Sequence, residues 1–247
     1  MQTNYKHAPI TEAIIDFRVT IAEGNSSTNG LTLLKENLVE RFPIQEEIQH
    51  GNFEFRGGLN IEPEANATML FAGYRLTSED KLHVVQITPA GFTFSWLNPY
   101  DSWESFRDHT REAWESYKYF MNPVTVNRVA IRYINRLDLP ASNPLESYLE
   151  LFARIPIRYP VRVVASYFLQ LQIPQTDLES MLVINQAQVE PPNPDTLSII
   201  LDFDLFRQSN WSIERDDAIW LLLEQLRERK NELFEASITD LTRELIK

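Results

Sequence analysis

The sequence predicts an α+β fold in which two duplicated halves, each running β-α-β-β-β-(β)-α, form one large curved antiparallel sheet with four helices on one face. Three observations carry this expectation. First, Val126–Asp138 (VNRVAIRYINRLD), just past the middle of the 247-residue chain, alternates with the period of two that a strand requires. Second, it restarts a pattern that opens near Pro9. Phe17-Arg18-Val19 aligns with Ile131-Arg132-Tyr133, and Arg41-Phe42-Pro43-Ile44 aligns with Arg154-Ile155-Pro156-Ile157, at an offset near 114 residues. Third, the intervening strands are joined by short loops, which favours antiparallel pairing, and their one-sided alternation leaves a single sheet face to be packed. The chain therefore reads as one domain, 1–247, made of two pseudo-repeats, 1–122 and 123–247.

Ala13–Ile21 is the first strand, with Ala13, Ile15, Phe17 and Val19 toward the core and Glu12, Asp16 and Arg18 away from it. Gly24–Gly30 (GNSSTNG) is expected as a mobile tip. Leu31, Leu34, Leu38 and Phe42 then give a helix stopped by Pro43. Strands follow at Asn52–Arg56, Thr68–Thr77, Lys81–Thr88 and Gly91–Leu97, the last two joined across Pro89-Ala90-Gly91. A long helix from Ser102 to Phe120 carries Trp103, Phe106, Thr110, Ala113, Trp114 and Tyr117 on one stripe. Asp101 is its expected N-cap, with Glu104 three residues on.

In the second half, Asn143-Pro144 suits a helix start, and Leu145, Tyr148, Leu149 and Phe152 share one side of the predicted helix, which runs into Pro156. Strands are expected at Val161–Gln172, Met181–Val189 and Leu197–Phe206, with Glu190–Pro194 (EPPNP) as a rigid loop. A last long helix, Glu214–Glu235, buries Ile219, Leu222, Leu223, Leu226 and Leu233. The tail Ser237–Lys247 begins with a cap at Thr239 and either docks back on the sheet edge or meets a partner, with docking preferred. This element order resembles the TATA-binding-protein-like and helix-grip folds, without base-stacking phenylalanine wedges. Likeness of fold implies no function.

Composition narrows the function classes. The net charge of −12 repels a phosphate backbone on average, which favours a protein partner over nucleic acid. With no cysteine there is no disulfide, thiolate catalyst or cysteine-ligated metal. No apolar run is long enough to span a bilayer and the N-terminus lacks a signal-peptide core, so a cytoplasmic protein without membrane attachment is expected. No phosphate-binding loop, dinucleotide fingerprint or nucleophile elbow is present. His7, His50, His83 and His109 show no metal-ligand spacing, and no cofactor or metal is expected.

The candidate binding surface is the outward face of the sheet. On Val126–Asp138, Val129, Ile131, Tyr133 and Leu137 face the core, while Arg128, Arg132 and Arg136 face out along about 26 Å of strand. Phasing the other strands by their apolar sets adds Gln170, Gln186, Gln188, Ile184, Ser198, Ile200, Asp202 and Asp204. The arginines are read either as a partner-binding stripe or, by preference, as an internal ion ladder facing Glu12, Asp16, Asp202 and Asp204. The expected function is a non-enzymatic module that holds a macromolecule, protein favoured and a homodimer allowed, on this face. Two alternatives stay open: a small-ligand pocket lined by Trp96, Trp103, Trp114 and Trp220, and an enzyme using Asp202 and Asp204.

Three segments carry a family resemblance: Pro9–Asp16 (PITEAIID), Arg132–Arg136 (RYINR) and Phe234–Asp240 (FEASITD). They resemble an uncharacterised, sporadically distributed bacterial protein family of about this length. The resemblance implies a mobile or defence-linked context and supplies no activity.

Overall fold

The computed structural model describes residues 5–22, 27–58, 61–156, 158–160 and 164–247. It is α+β, built on one antiparallel sheet. The strands are β1 (Ile10–Ile21), β2 (Ile44–Gly58), β3 (Ile61–Thr77), β4 (His83–Thr88), β5 (Gly91–Leu97), β6 (Pro123–Pro140), β7 (Phe168–Gln175), β8 (Ser180–Val189) and β9 (Thr196–Ser212). They lie in the order β2-β3-β4-β5-β1-β6-β9-β8-β7. The two strands that open the two halves, β1 and β6, are therefore neighbours at the centre. They pair antiparallel, Phe17 opposite Val129 and Ala13 opposite Tyr133.

The helices are α1 (Ser27–Asn37), α2 (Trp103–Met121), α3 (Asp216–Ser237) and α4 (Asp240–Ile246). Alternation decides which sheet face they cover. Ala13, Ile15 and Phe17 are fully buried, as are Val129 and Ile131. Phe17 meets Trp114 of α2 at 4.7 Å between ring centroids and Trp220 of α3 at 6.0 Å. In the same row, Tyr74 of β3 lies under the Lys35 ammonium of α1. Thus α1, α2 and α3 share one face of the sheet. Aromatic packing there is edge-on or offset, the arrangement that ring quadrupoles favour.

Several local expectations shift. The helix after the first loop starts at Ser27, so the end of the expected mobile tip is helical, while residues 24–26 lie outside the described residues. The N-cap of α2 is Ser102 rather than Asp101. Its extended backbone (φ −146°, ψ 160°) lets its hydroxyl accept from the Ser105 N–H. The two short strands expected at 52–56 and 68–77 are parts of one long hairpin, β2–β3. Residues 161–163 of the expected strand Val161–Gln172 lie outside the described residues, and the strand itself begins at Phe168.

The largest departure is in the second half. Where Leu145–Phe152 predicts a helix, only one 3-10 turn forms, Leu145–Ser147, followed by irregular chain up to β7. The reason is competition for backbone groups. In a helix the Tyr148 carbonyl would accept from residue 152; here it accepts from the Thr239 N–H and the Thr242 hydroxyl. Leu149 bridges Ile238, and Glu150 N–H donates to the Ser237 carbonyl. The C-terminal segment therefore holds this stretch open, and the fourth helix is α4, capped at Thr239 and docked by Ile246 as the docking expectation had it. It docks against the Tyr148 turn and the N-terminal segment, where His7 N–H donates to the Ile246 carbonyl, rather than on a sheet edge.

One glycine is required. Gly73 sits at a register shift of β2–β3 with φ +156°, and an added Cβ would lie 2.1 Å from the Ile87 carbonyl oxygen. Only four β3–β4 pairs, Tyr74 to Thr77, tie the hairpin to the rest of the sheet, and the clash falls beside them. Gly73→Ala is expected to cost about 2–3 kcal/mol. Hydrogen exchange should show the β3–β4 amides losing protection ahead of the β1–β6 amides; uniform protection would contradict this.

Candidate functional site

The face opposite α1, α2 and α3 carries side-chain networks that together cross six strands. They are built from register. Opposite partners place Thr93 of β5, Asp16 of β1 and Ala130 of β6 in one row, and Arg132 of β6 beside Asp204 of β9 in the next. Asp202 stands beside Asn185 of β8, which stands beside Gln170 of β7. Short lateral spacing between strands lets long arginines reach across to acids on neighbours.

Arg128 is the hub of one branch. It donates to Asp16 Oδ1 at 2.7 Å and to both oxygens of Asp204, at 3.3 and 3.1 Å, while its guanidinium lies 4.4 Å from the centroid of the Phe206 ring. Asp16 also accepts from the Thr93 hydroxyl at 2.8 Å and from Arg18 Nε at 3.2 Å. In the second branch Arg132 grips Asp202 with a two-point contact, Nε at 2.8 Å and Nη2 at 2.7 Å. Asp202 Oδ2 also accepts from Asn185 Nδ2 at 2.9 Å, and Gln170 Nε2 donates to Asn185 Oδ1 at 2.8 Å. Arg136 closes the far end, donating to Asp138, to the Ser198 hydroxyl and to the Glu190 carbonyl, while Ser198 donates to Asp138.

Burial is uneven along these networks. The Asp202 side chain is only 4% exposed, whereas its partner Arg132 is 41% exposed. In this pair the acid forms the floor and the guanidinium the cover. Desolvation pushes the Asp204 carboxyl above the ordinary range, opposed by Arg128 and Arg132. The Arg132 guanidinium is held further into its charged state by the hydrogen bonds to Asp202. Between the charged rows lie half-buried Ile14, Ile134, Val183 and Ile200, so the surface is an apolar floor crossed by ion pairs.

Of the sequence-predicted site residues, the structure gathers Arg128, Arg132, Arg136, Gln170, Asp202 and Asp204 on this one face. Gln186 and its strand are the correction. Strand β8 has the opposite phase: Ile184 and Gln186 stand beside Phe203 and Leu201 on the helix side, and Val183, Asn185 and Ala187 face out. Gln186 is fully buried, accepting from the Tyr167 hydroxyl at 3.1 Å and donating to the Leu151 carbonyl at 2.8 Å. A helix above β8 would have satisfied its own carbonyls; irregular chain there demands a polar residue beneath it. Asn185 is the site residue that sequence reasoning missed. Both phases of MLVINQAQV carry apolar residues, so alternation alone does not assign it.

The four tryptophans proposed to line a pocket pack instead as core. Trp114 is fully buried, and Trp96, Trp103 and Trp220 are nearly so. Trp103 Nε1 donates to Glu224, while Trp114 and Trp220 both donate to Asp216, which ties the indoles to the α2–α3 pair. Asp202 and Asp204 have their oxygens turned to guanidiniums. Among the described residues no group of three or more His, Cys, Asp or Glu is placed to hold a metal ion. His83 and His109 stack nearly parallel, centroids 5.4 Å apart, at a cleft rimmed by Glu79, Asp80 and Glu112. Burial lowers the His83 pKa, opposed by Asp80.

A second residue escaped the sequence reading. Lys230 lies on the buried stripe of α3, four residues beyond Leu226, with its ammonium 3.8 Å from the Tyr133 ring centroid. The signal was there: helical spacing places position 230 on the same face as 219, 222, 223 and 226.

No protein-family model matches the chain, and no curated protein matches it. No helix among the described residues is long and apolar enough to cross a membrane.

Proposed function

We propose that this protein is a non-enzymatic binding module that holds a macromolecular partner, protein in preference to nucleic acid, on the uncovered sheet face. One observation carries the reading: two adjacent hydrogen-bonded branches that together fix arginine and amide groups across six strands while leaving Arg132 and Arg18 open to solvent. Donors already locked by acids beneath them lose little freedom on binding, which removes part of the entropic cost of association. Arginines beside half-buried isoleucines, on a face that also exposes Phe168, match the composition of protein interfaces. The net charge of −12 keeps nucleic acid in second place.

We also infer that the two halves arose by duplication, in an arrangement like the TATA-binding-protein-like fold. Support comes from the strand order. Each half puts its first strand at the centre, its last strand beside it, and the earlier strands progressively outward. The bacterial family resemblance of the three segments is part of the same proposal.

The test is site-specific photocrosslinking from Arg18 and Gln172 on the open face, with Tyr119 and Leu221 on the helix side as controls, all four exposed. Adducts to one common protein from the open-face positions alone are expected, and Arg18→Glu with Phe168→Asp should weaken that complex at least tenfold with unchanged melting. Adducts to a second copy would name the partner as this chain. Adducts from the helix side only, or retention on nucleic acid that falls steeply with salt, would overturn the reading.

A further inference from the structure

The irregular segment that replaces the expected second-half helix leaves a space over the sheet, and that space has the character of a small-molecule site. A cleft of about 720 Å³ opens there between residues 145–155 on one side and Tyr167, Gln188 and Leu197 on the other. It lies on the helix side of the sheet, remote from the arginine network, because Gln188 stands opposite Ile199 on the buried face of β9. Its walls are apolar: Leu145, Phe152, Ile155, Val164 and Leu197. A volume of this size suits a small organic ligand rather than a few waters.

One charged group marks the orientation of that ligand. Arg154 lies over the Phe152 ring, its guanidinium carbon 5.2 Å from the centroid. Among the described residues no carboxylate pairs with it. Arg128, Arg132, Arg136, Arg229 and Arg243 are engaged by acids, whereas the Arg154 guanidinium rests on a ring with its donors open. A guanidinium resting on a ring keeps its planar fork of donors available, and such a fork receives a carboxylate with two parallel hydrogen bonds. Glu146, the acid that shares the cleft lining, would repel a second carboxylate. Local sequence preference was also overridden at this place, a departure that commonly marks functional positions.

We propose that this cleft binds a monocarboxylate with an apolar body, an aliphatic or aryl-alkyl acid, its carboxylate on Arg154 and its chain against Phe152, Ile155, Val164 and Leu197. The proposal does not depend on the open-face reading.

The experiment is isothermal titration of the full chain with octanoate, 3-phenylpropionate, octylammonium and the dicarboxylate suberate. Octanoate and phenylpropionate should bind one to one, and the other two should give no heat of binding. Arg154→Met should weaken octanoate at least tenfold. Ala153→Trp, which fills the cleft from an exposed lining position, should abolish binding. Both variants alter surface residues, and unchanged melting would confirm that the fold is intact. No binding of either monocarboxylate at millimolar concentration, equal affinity in Arg154→Met, or equal binding of octylammonium would each overturn the proposal.

Discussion

Lys230→Met is expected to stabilise the protein by about 2–3 kcal/mol at pH 7, raising the melting temperature by about 5–10 °C for a chain of this size. Lys230 is buried on α3, and desolvation, with Arg227 nearby, lowers its pKa to about 7 against a weaker opposing pull from Glu235. That displacement from the ordinary lysine value corresponds to a penalty of about 4 kcal/mol at neutral pH. The ring of Tyr133 beneath the ammonium returns about 1–2 kcal/mol of it. Methionine keeps the apolar stem in place and removes the charge.

The pH dependence has a definite sign. Above about pH 7 the folded protein leaves Lys230 neutral, while the unfolded chain stays protonated up to the ordinary lysine range near 10.5. Raising pH through that window therefore stabilises the wild type by about 1.4 kcal/mol per unit from this group, and the window closes at both ends. Lys230→Met lacks this contribution, so its advantage should shrink steadily between pH 7 and pH 10. Urea unfolding of both proteins at several pH values reads the difference directly. A variant less stable than wild type at pH 7 would mean that the ammonium is held by more than the Tyr133 ring.

Arg128→Met should have the opposite effect, a loss of about 3 kcal/mol at pH 7. It removes the one cation that touches both Asp16 and Asp204, whose side chains are 12% and 23% exposed, and leaves two acids facing each other across β6. Breaking a buried pair from one side typically costs about 3–5 kcal/mol, and the lower end applies because Arg18 and Arg132 still reach these acids. Asp204 is already raised by burial, and its charge is tolerated because Arg128 opposes that rise. Without Arg128 its folded-state pKa climbs further above the unfolded value. A carboxyl with a raised pKa contributes stability below its unfolded pKa and loses it as pH rises through its folded pKa. The gap between wild type and Arg128→Met should therefore narrow on acidification from pH 7 to pH 5. The triple variant Arg128→Met, Asp16→Asn, Asp204→Asn should recover most of the loss. A constant gap would show that the arginine acts through packing on Phe206 alone.

These two residues also show what was legible in the sequence. The arginine stripe is legible from alternation, because period two puts Arg128, Arg132 and Arg136 on one face whatever the sheet does, and the ladder follows from the acids that the same alternation places on that face. The partners were legible only in part. Asp16, Asp202 and Asp204 follow from strands with one clearly apolar side. Asn185 does not, since β8 is apolar on both sides and its phase depends on what covers it. Lys230 was visible as a position on the helix stripe, but its charge argued against placing it inside.

The sequence by itself determined the α+β class, the antiparallel strands, the long helices α2 and α3 and the outward arginines. Each rests on local periodicity, which the covalent geometry of strand and helix enforces without reference to distant residues. The side-by-side placement of the two opening strands, which the ladder from Asp16 to the arginines requires, agrees with the strand order. Tertiary structure alone decided two things. It replaced the helix expected at 144–156 with an open segment, because Thr239 and Thr242 take the Tyr148 carbonyl that a helix would have used. And it turned β8 over, because that open segment needs Gln186 beneath the Leu151 carbonyl. Both outcomes share one physical cause: backbone groups go to whichever partner the fold brings near, and a partner from the far end of the chain leaves no local periodic trace.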